Sequence, residues 1–295
     1  MSESKAAPPR GIRLTPLDPS FRNDPYSVLK SLREHDPVMR DDEFGRWFLT
    51  RFDDVSHLLR DKHTSVNPRS GNLPPTYSAR MQRPDSPQSR TGVLSSIIFL
   101  DDPAHRRLRG LVSKAFTPGA VEALRPRVRA IVRELLAAIR EREFELVGTF
   151  AAPLTAAVTA ELLEIDPADR SAFGSWSELL VTSFYNPFLS PAKVALAASA
   201  RRMLEEYLSA LIARRRQHPT SDLITAMLNV HDAENRLTDD EIVQQCSLLI
   251  LAGQVTTTDA IGNGVKALIE HPQELAKLRA RGDLIDSAVE EMLRY

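Results

Sequence analysis

The sequence contains one cysteine, Cys246, in 295 residues, and this scarcity excludes an internal disulfide framework. With no CxxC pair and no HExxH run among its seven histidines, the sequence also lacks the common zinc signatures. The formal net charge is −1, from 38 basic and 39 acidic residues, so the chain as a whole is not drawn to nucleic acid or to an anionic membrane. Partners must be sought in local patterns, and a reducing cytoplasmic location is expected.

Long apolar runs are missing as well. No stretch approaches the roughly 18 uninterrupted apolar residues of a membrane span, and the N-terminus has no apolar core of the signal-peptide type. We therefore expect no membrane segment. Residues 1–19 are predicted to be a disordered tail, and residues 20–295 are predicted to form a single domain.

The first part of that domain carries signals for one helix and a small β element. Asp24 and Pro25 form a cap and first-turn pair that opens a helix ending near Glu34. Residues 38–40 and 46–50 are brief runs on either side of a turn-rich link, which predicts a hairpin of two short strands.

The chain beyond Asp101 consists of apolar segments separated by helix breakers, which indicates helices. The strongest signal is the capping box formed by Thr238 and Glu241, in front of a run without proline until Pro272. This run predicts a helix of about 32 residues, roughly 48 Å long. The other predicted helices span residues 53–60, 102–117, 118–142, 153–163, 169–185, 191–216, 219–230, 273–281 and 285–295. The predicted fold class is mainly α.

A glycine and three threonines, Gly253 and residues 256–258, interrupt this long helix. Gly253 costs about 1 kcal/mol relative to alanine in a helix interior, and threonines compete for backbone hydrogen bonds. A local rule broken in this way is typical of a functional site. The structural alternative is a polar patch where two buried helices cross.

Two further pairs stand at helical spacing. His105 and Arg109 lie four residues apart on one face of a helix, so they form either an anion site or part of a solvated basic face. Glu291 and Arg294 lie three apart, and alone they predict no more than an exposed ion pair. Arg106 and Arg107 point elsewhere, toward solvent or toward an acidic electron-transfer partner.

In this order and approximate spacing, the Asp-Pro-x-x-His-x-x-x-Arg segment, the Ala252–Thr257 motif and the Glu-x-x-Arg helix resemble those of the cytochrome P-450 family of heme-thiolate monooxygenases. The resemblance covers nearly the whole chain and implies that family's fold and a heme b cofactor. It implies that His105 and Arg109 donate to the heme propionates. It also implies that Ala252 and Gly253 make room for dioxygen.

The same resemblance implies the remaining roles. Thr256 corresponds to the threonine that relays protons to oxygen, and Glu291 with Arg294 to a buried network supporting the heme-binding core. The residue before the threonine is Val255 rather than an acid, so water, Gln254 or Asp259 would have to deliver the proton.

The activity implied by the resemblance is insertion of one oxygen atom from dioxygen into a small, mainly apolar organic substrate. Electrons would come from NAD(P)H through a reductase and a ferredoxin-type donor. Two loops, residues 65–98 and 184–189, would border the substrate pocket.

The family's cysteine ligand is expected beyond Tyr295, which would make this chain a scaffold with its C-terminal part missing and inactive by itself. Cys246 cannot replace that ligand. It precedes Thr256 by ten residues in one helix, about 15 Å along the axis and roughly 80° around it. Two alternatives remain: a heme-free helper that binds and stabilises a partner enzyme such as a glycosyltransferase, or a degenerate gene product without function.

Overall fold

The computed structural model describes residues 10–15, 17–67, 70, 96–185, 189–232 and 235–294. These divide into two compact units. The first comprises residues 10–67, without residue 16, together with 70 and 98–101. The second comprises 96–97 and the described residues from 102 to 294. Helices dominate, which confirms the predicted mainly α class.

The described residues of the first unit contain three α-helices and the predicted hairpin. Its elements are α1 (Pro19–Asn23), α2 (Pro25–His35), β1 (Val38–Asp41), β2 (Arg46–Leu49) and α3 (Phe52–Arg60). Helix α2 begins at the predicted pair, because the Asp24 carboxylate accepts the backbone N–H of Ser27 at 3.1 Å. The two strands are antiparallel, with Val38 opposite Leu49.

A short 3-10 helix, Gly11–Leu14, precedes these elements. Leu14 packs with Leu32 and Met39 in the core of the first unit, and each is at most 4% exposed. The buried Asp41 carboxylate accepts the first backbone N–H of this 3-10 helix at 2.9 Å. This part of the predicted tail is therefore ordered, since it buries an apolar side chain, whereas residues 1–9 lie outside the described residues.

The second unit holds the remaining α-helices and strands and a π-helical turn. They are α4 (Ala104–Ala115), α5 (Pro118–Ala123), α6 (Arg125–Ala138), a π-helical turn (Val147–Ala151), α7 (Ala152–Leu162), α8 (Arg170–Tyr185), α9 (Pro191–Gln217), α10 (Leu223–Asn229), β3 (His231–Asp232), β4 (Asn235–Arg236), α11 (Asp239–Glu270), α12 (Pro272–Ala280) and α13 (Ile285–Met292).

The structure differs most from the predicted helices over residues 118–142 and 219–230. The helix expected over residues 118–142 is two helices, α5 and α6, because Pro126 cannot continue the hydrogen-bond ladder of the preceding turn. Helix α10 begins at Leu223 rather than near residue 219, because the Asp222 carboxylate caps it by accepting the backbone N–H of Thr225 at 2.7 Å.

Helix α11 is the central element of the second unit and packs against α7, α8 and α9. Its 32 residues match the predicted length. The capping box is confirmed: Thr238 Oγ1 accepts the N–H of Glu241 at 3.1 Å, and the Glu241 carboxylate accepts the N–H of Thr238 at 2.9 Å. Near its other end, a Cβ on Gly264 would lie 2.8 Å from Met292 Sδ, so the glycine lets α13 pack closely.

Candidate functional site

One face of α11 is open at the glycine-threonine motif. Ala252, Thr256 and Asp259 are all exposed, and at 100° per residue they fall within a stripe about 60° wide. The Thr256 hydroxyl donates to the carbonyl oxygen of Ala252 at 2.5 Å. Within the described part of the chain, Asp259 has no hydrogen-bond or ion-pair partner. The stripe, called the open face below, therefore carries a small side chain, a hydroxyl and an unpaired carboxylate.

The other side of the motif packs against α7. Thr258 is 7% exposed, and its hydroxyl lies 3.0 Å from that of Thr155, which is 5% exposed. A Cβ on Gly253 would lie 3.7 Å from Thr159 Oγ1, an ordinary contact distance. The motif thus also forms the polar helix crossing considered as the alternative. The predicted role of Gly253 beside dioxygen stays a prediction.

Gln254 and Asp259, the two side chains considered for proton delivery, lie on different sides of α11. Gln254 is about 200° around the helix from Thr256, whereas Asp259 is about 60° away. The amide nitrogen of Gln254 is buried and has no hydrogen-bond partner among the described residues. Only Asp259 of these two shares the open face with Thr256.

His105 and Arg109 lie on one face of α4. The His105 side chain is 35% exposed, with its Nδ1 3.7 Å from Asp102 Oδ1. Arg109 is exposed and, among the residues that the structure describes, has neither an ion-pair nor a hydrogen-bond partner. Leu108 and Leu111 of the same helix are buried in the core. The pair offers one free guanidinium and one imidazole to an anion.

Arg107 is not the solvated or partner-binding side chain that the sequence indicated. It forms an ion pair with Glu241 and its guanidinium lies 3.5 Å from the carbonyl oxygen of Arg236. Sequence reasoning identified Glu241 only as a capping residue, so the second partner of this carboxylate was missed. The link joins α4 to the first turn of α11.

Glu291 and Arg294 form an ion pair with a distance of 3.5 Å between Arg294 Nε and a Glu291 carboxylate oxygen. Their side chains are 75% and 78% exposed, as a plain pair at this spacing predicts. No buried network forms around them among the described residues, and their architectural role stays a prediction.

Cys246 is fully buried within α11. Burial raises the pKa of its thiol, and the nearby Asp222 carboxylate raises it further, so the group is a neutral thiol at pH 7. The described residues contain no cluster of three or more histidine, cysteine, aspartate or glutamate side chains able to hold a metal ion. In the same part of the chain, no helix combines the length and apolarity of a bilayer span.

Comparison with known proteins identifies the scaffold. The family model for cytochrome P450 matches residues 172–288. The chain is 34% identical over 292 residues to cytochrome P450 CYP107DY1 of Priestia megaterium, covering 94% of this chain and 69% of that relative. This chain belongs to the cytochrome P450 family.

Solved cytochrome P450 structures agree with this assignment. The polyketide synthase cytochrome P450 PksS of Bacillus subtilis superposes with a TM-score of 0.81 at 31% identity, over 95% of this chain and 68% of that one. P450BioI in complex with an acyl carrier protein ligated to hexadec-9Z-enoic acid superposes with a TM-score of 0.79 at 30% identity, over 94% and 69%. The chain therefore spans about two thirds of these relatives.

Members of the cytochrome P450 family are heme monooxygenases, and the described residues fit that cofactor. Propionates require cationic donors, and α4 presents the free Arg109 guanidinium beside His105. A porphyrin with its bound gas requires a helix face without bulky side chains, and α11 presents Ala252 and Thr256.

Proposed function

We propose that this chain provides the oxygen-side helix and the propionate-binding helix of a monooxygenase that inserts one oxygen atom from dioxygen into a small, mainly apolar organic substrate. The observation that carries the proposal is the open face of α11, where Ala252, Thr256 and Asp259 stand in one stripe of a helix whose other sides contain buried residues. Heme, when bound, supplies the activation of dioxygen.

His105 and Arg109 would hold the cofactor by its carboxylates. Hydrogen bonds from charged donors to carboxylates are about twice as strong as neutral ones, and the free guanidinium of Arg109 gives up no internal ion pair to make them. The two side chains would therefore orient the cofactor as well as retain it.

Thr256 would hold and pass on a proton at Oγ1. In the present geometry that proton is donated to the Ala252 carbonyl oxygen, so a rotation about χ1 frees it for another acceptor. Residue 255 is valine and carries no proton, whereas Asp259 stands one turn further along the open face. We assign Asp259, directly or through water, as the group that resupplies Thr256.

The thiolate ligand that tunes heme iron in this family is not Cys246 in our proposal. Its thiol is neutral and fully buried on a different face of α11 from Thr256. A polypeptide limited to residues 1–295 would consequently lack the electron donation that favours O–O cleavage, and we propose that it is inactive by itself.

We further propose that a ferredoxin-type protein and its reductase deliver electrons from NAD(P)H. Arg106 is an exposed cation on α4 available to an acidic donor, since its partner Asp102 is itself about half exposed. P450BioI was solved with a substrate carried on an acyl carrier protein, so a carrier-bound substrate is one form that the apolar molecule would take.

The test uses a heme-loaded form of the protein that carries a thiolate ligand. Thr256→Ala is expected to raise the hydrogen peroxide released per NAD(P)H consumed, and Asp259→Asn to do the same to a smaller extent. Thr257→Ala, one position along the helix, serves as the control. Unchanged coupling in Thr256→Ala would reject the relay, and failure to bind heme at all would favour the heme-free helper.

A further inference from the structure

Two buried hydroxyls connect α11 to α7 next to the proposed relay. The Oγ1 atoms of Thr258 and Thr155 lie 3.0 Å apart, and Thr155 Oγ1 also lies 3.0 Å from the carbonyl oxygen of Ala152. A hydroxyl has one proton, so Thr155, which donates to that carbonyl, accepts from Thr258. The result is a short directed chain from α11 into the backbone of α7.

The position of Thr258 gives this chain a consequence for Thr256. Two residues along a helix correspond to about 200° around its axis, so Thr258 and Thr256 point to nearly opposite sides of α11. Thr258 is 7% exposed and Thr256 is exposed. A contact that fixes the buried Thr258 side chain therefore also fixes the direction in which Thr256 points.

A second contact between α7 and α11 also helps to fix the direction of Thr256. Thr159 Oγ1 donates to the Thr155 carbonyl oxygen at 2.8 Å and lies beside Gly253, where a Cβ would be 3.7 Å away. Helices α7 and α11 are therefore in direct contact at the level of Thr256. Apolar contact between the two helices is not directional. The hydrogen bond between the two hydroxyls is directional, so it adds a constraint on the rotation of α11.

We propose that the Thr155–Thr258 hydrogen bond is a positioning device that sets the rotation of α11 and so aims the Thr256 hydroxyl. The inference rests on the proposed relay role of Thr256. A side-chain atom about 5 Å from the helix axis moves about 0.9 Å for a 10° rotation, and a misplacement of about 1 Å costs roughly a hundred-fold in a catalytic step. The fold tolerates loss of the bond, because the Thr258 hydroxyl can then donate to a backbone carbonyl of its own helix.

The experiment removes the Thr258 hydroxyl of α11 and the Thr155 hydroxyl of α7 in separate variants. Thr258→Val and Thr155→Val keep the side-chain shape and remove the bond. Each is expected to speed native-state hydrogen exchange of the backbone amides of residues 252–260 about five-fold, the equivalent of one hydrogen bond. In the heme-loaded form, each should also raise peroxide release per NAD(P)H about two-fold or more. Thr257→Val, an exposed neighbour, is the matched control.

The remaining variants separate the two hypotheses. Thr258→Ser keeps the hydroxyl and should restore both measurements. Thr155→Val also removes the Thr155–Ala152 bond within α7, so the double valine variant should exceed Thr155→Val in neither measurement. Wild-type coupling in Thr258→Val and Thr155→Val while Thr256→Ala uncouples would overturn the positioning role alone. Wild-type coupling in Thr256→Ala would reject the relay itself.

Discussion

Arg107 of α4 and Glu241 in the first turn of α11 form an ion pair that joins the two helices proposed to face the cofactor. One carboxylate oxygen of Glu241 receives the guanidinium, and the other accepts the backbone N–H of Thr238 at 2.9 Å. Arg107 is two residues from His105 and two from Arg109, about 160° around α4 from each. The pair therefore holds α4 from one side and leaves the opposite side free.

Glu241→Gln is expected to separate the ion-pair role of Glu241 from its capping role. Glutamine also forms a capping box, so this change removes only the charge of the ion pair and should lower the free energy of unfolding by about 0.5–1 kcal/mol. Glu241→Ala removes the cap as well and should cost about 1–2 kcal/mol. Urea denaturation with Arg107→Gln completes a double-mutant cycle. Additive effects of Arg107→Gln and Glu241→Gln would contradict a direct pair.

Removing both His105 and Arg109 by alanine substitution should weaken heme retention about a hundred-fold or more, because each charge-assisted hydrogen bond contributes about 1.5–3 kcal/mol. Titration of heme into the refolded, heme-free protein gives the affinity. The heme content of protein expressed with heme gives the retention. Arg106→Ala is the matched control, since it removes a cation of the same helix that already pairs with Asp102. Equal loss in the control would mean that net charge alone attracts heme.

A polypeptide of residues 1–295 reconstituted with heme, reduced and exposed to carbon monoxide is expected to lack the long-wavelength Soret band of thiolate ligation. Its one cysteine is fully buried, with the pKa of its thiol raised by burial. Cys246→Ala provides the decisive comparison. A thiolate band that disappears in this variant would show that Cys246 reaches the iron after all.

Glu164 follows α7 with a φ of 44°, a left-handed conformation in which a side chain costs about 1–2 kcal/mol. Its carboxylate lies 3.6 Å from the buried Arg215 and accepts the Ser221 hydroxyl at 3.2 Å. Glu164→Ala loses these contacts and keeps the strain, so it should destabilise the fold by about 1 kcal/mol. Glu164→Gly also relieves the strain and should be nearly neutral. Alanine as stable as glycine in thermal unfolding would exclude strain at this position.

The sequence by itself determined the mainly α class, the hairpin at β1 and β2, and the bounds of α11. These depend on local signals, namely caps, breakers and turn residues, whose effect is felt within a few positions of the chain. The capping box of Thr238 and Glu241 is the clearest case, because both partners lie in one turn. The grouping of Ala252 with Thr256 and of His105 with Arg109 follows likewise from helical periodicity.

Only the tertiary structure decided which side of each helix faces a neighbour. Arg107 and Glu241 are 134 residues apart, and Thr155 and Thr258 are 103 apart, so no local pattern connects them. The packing of α7 on α11 buries Thr258 and leaves Thr256 open, although both are threonines in one run. Identical residue types acquire different roles here because burial depends on what packs against them, and that is a property of the whole chain.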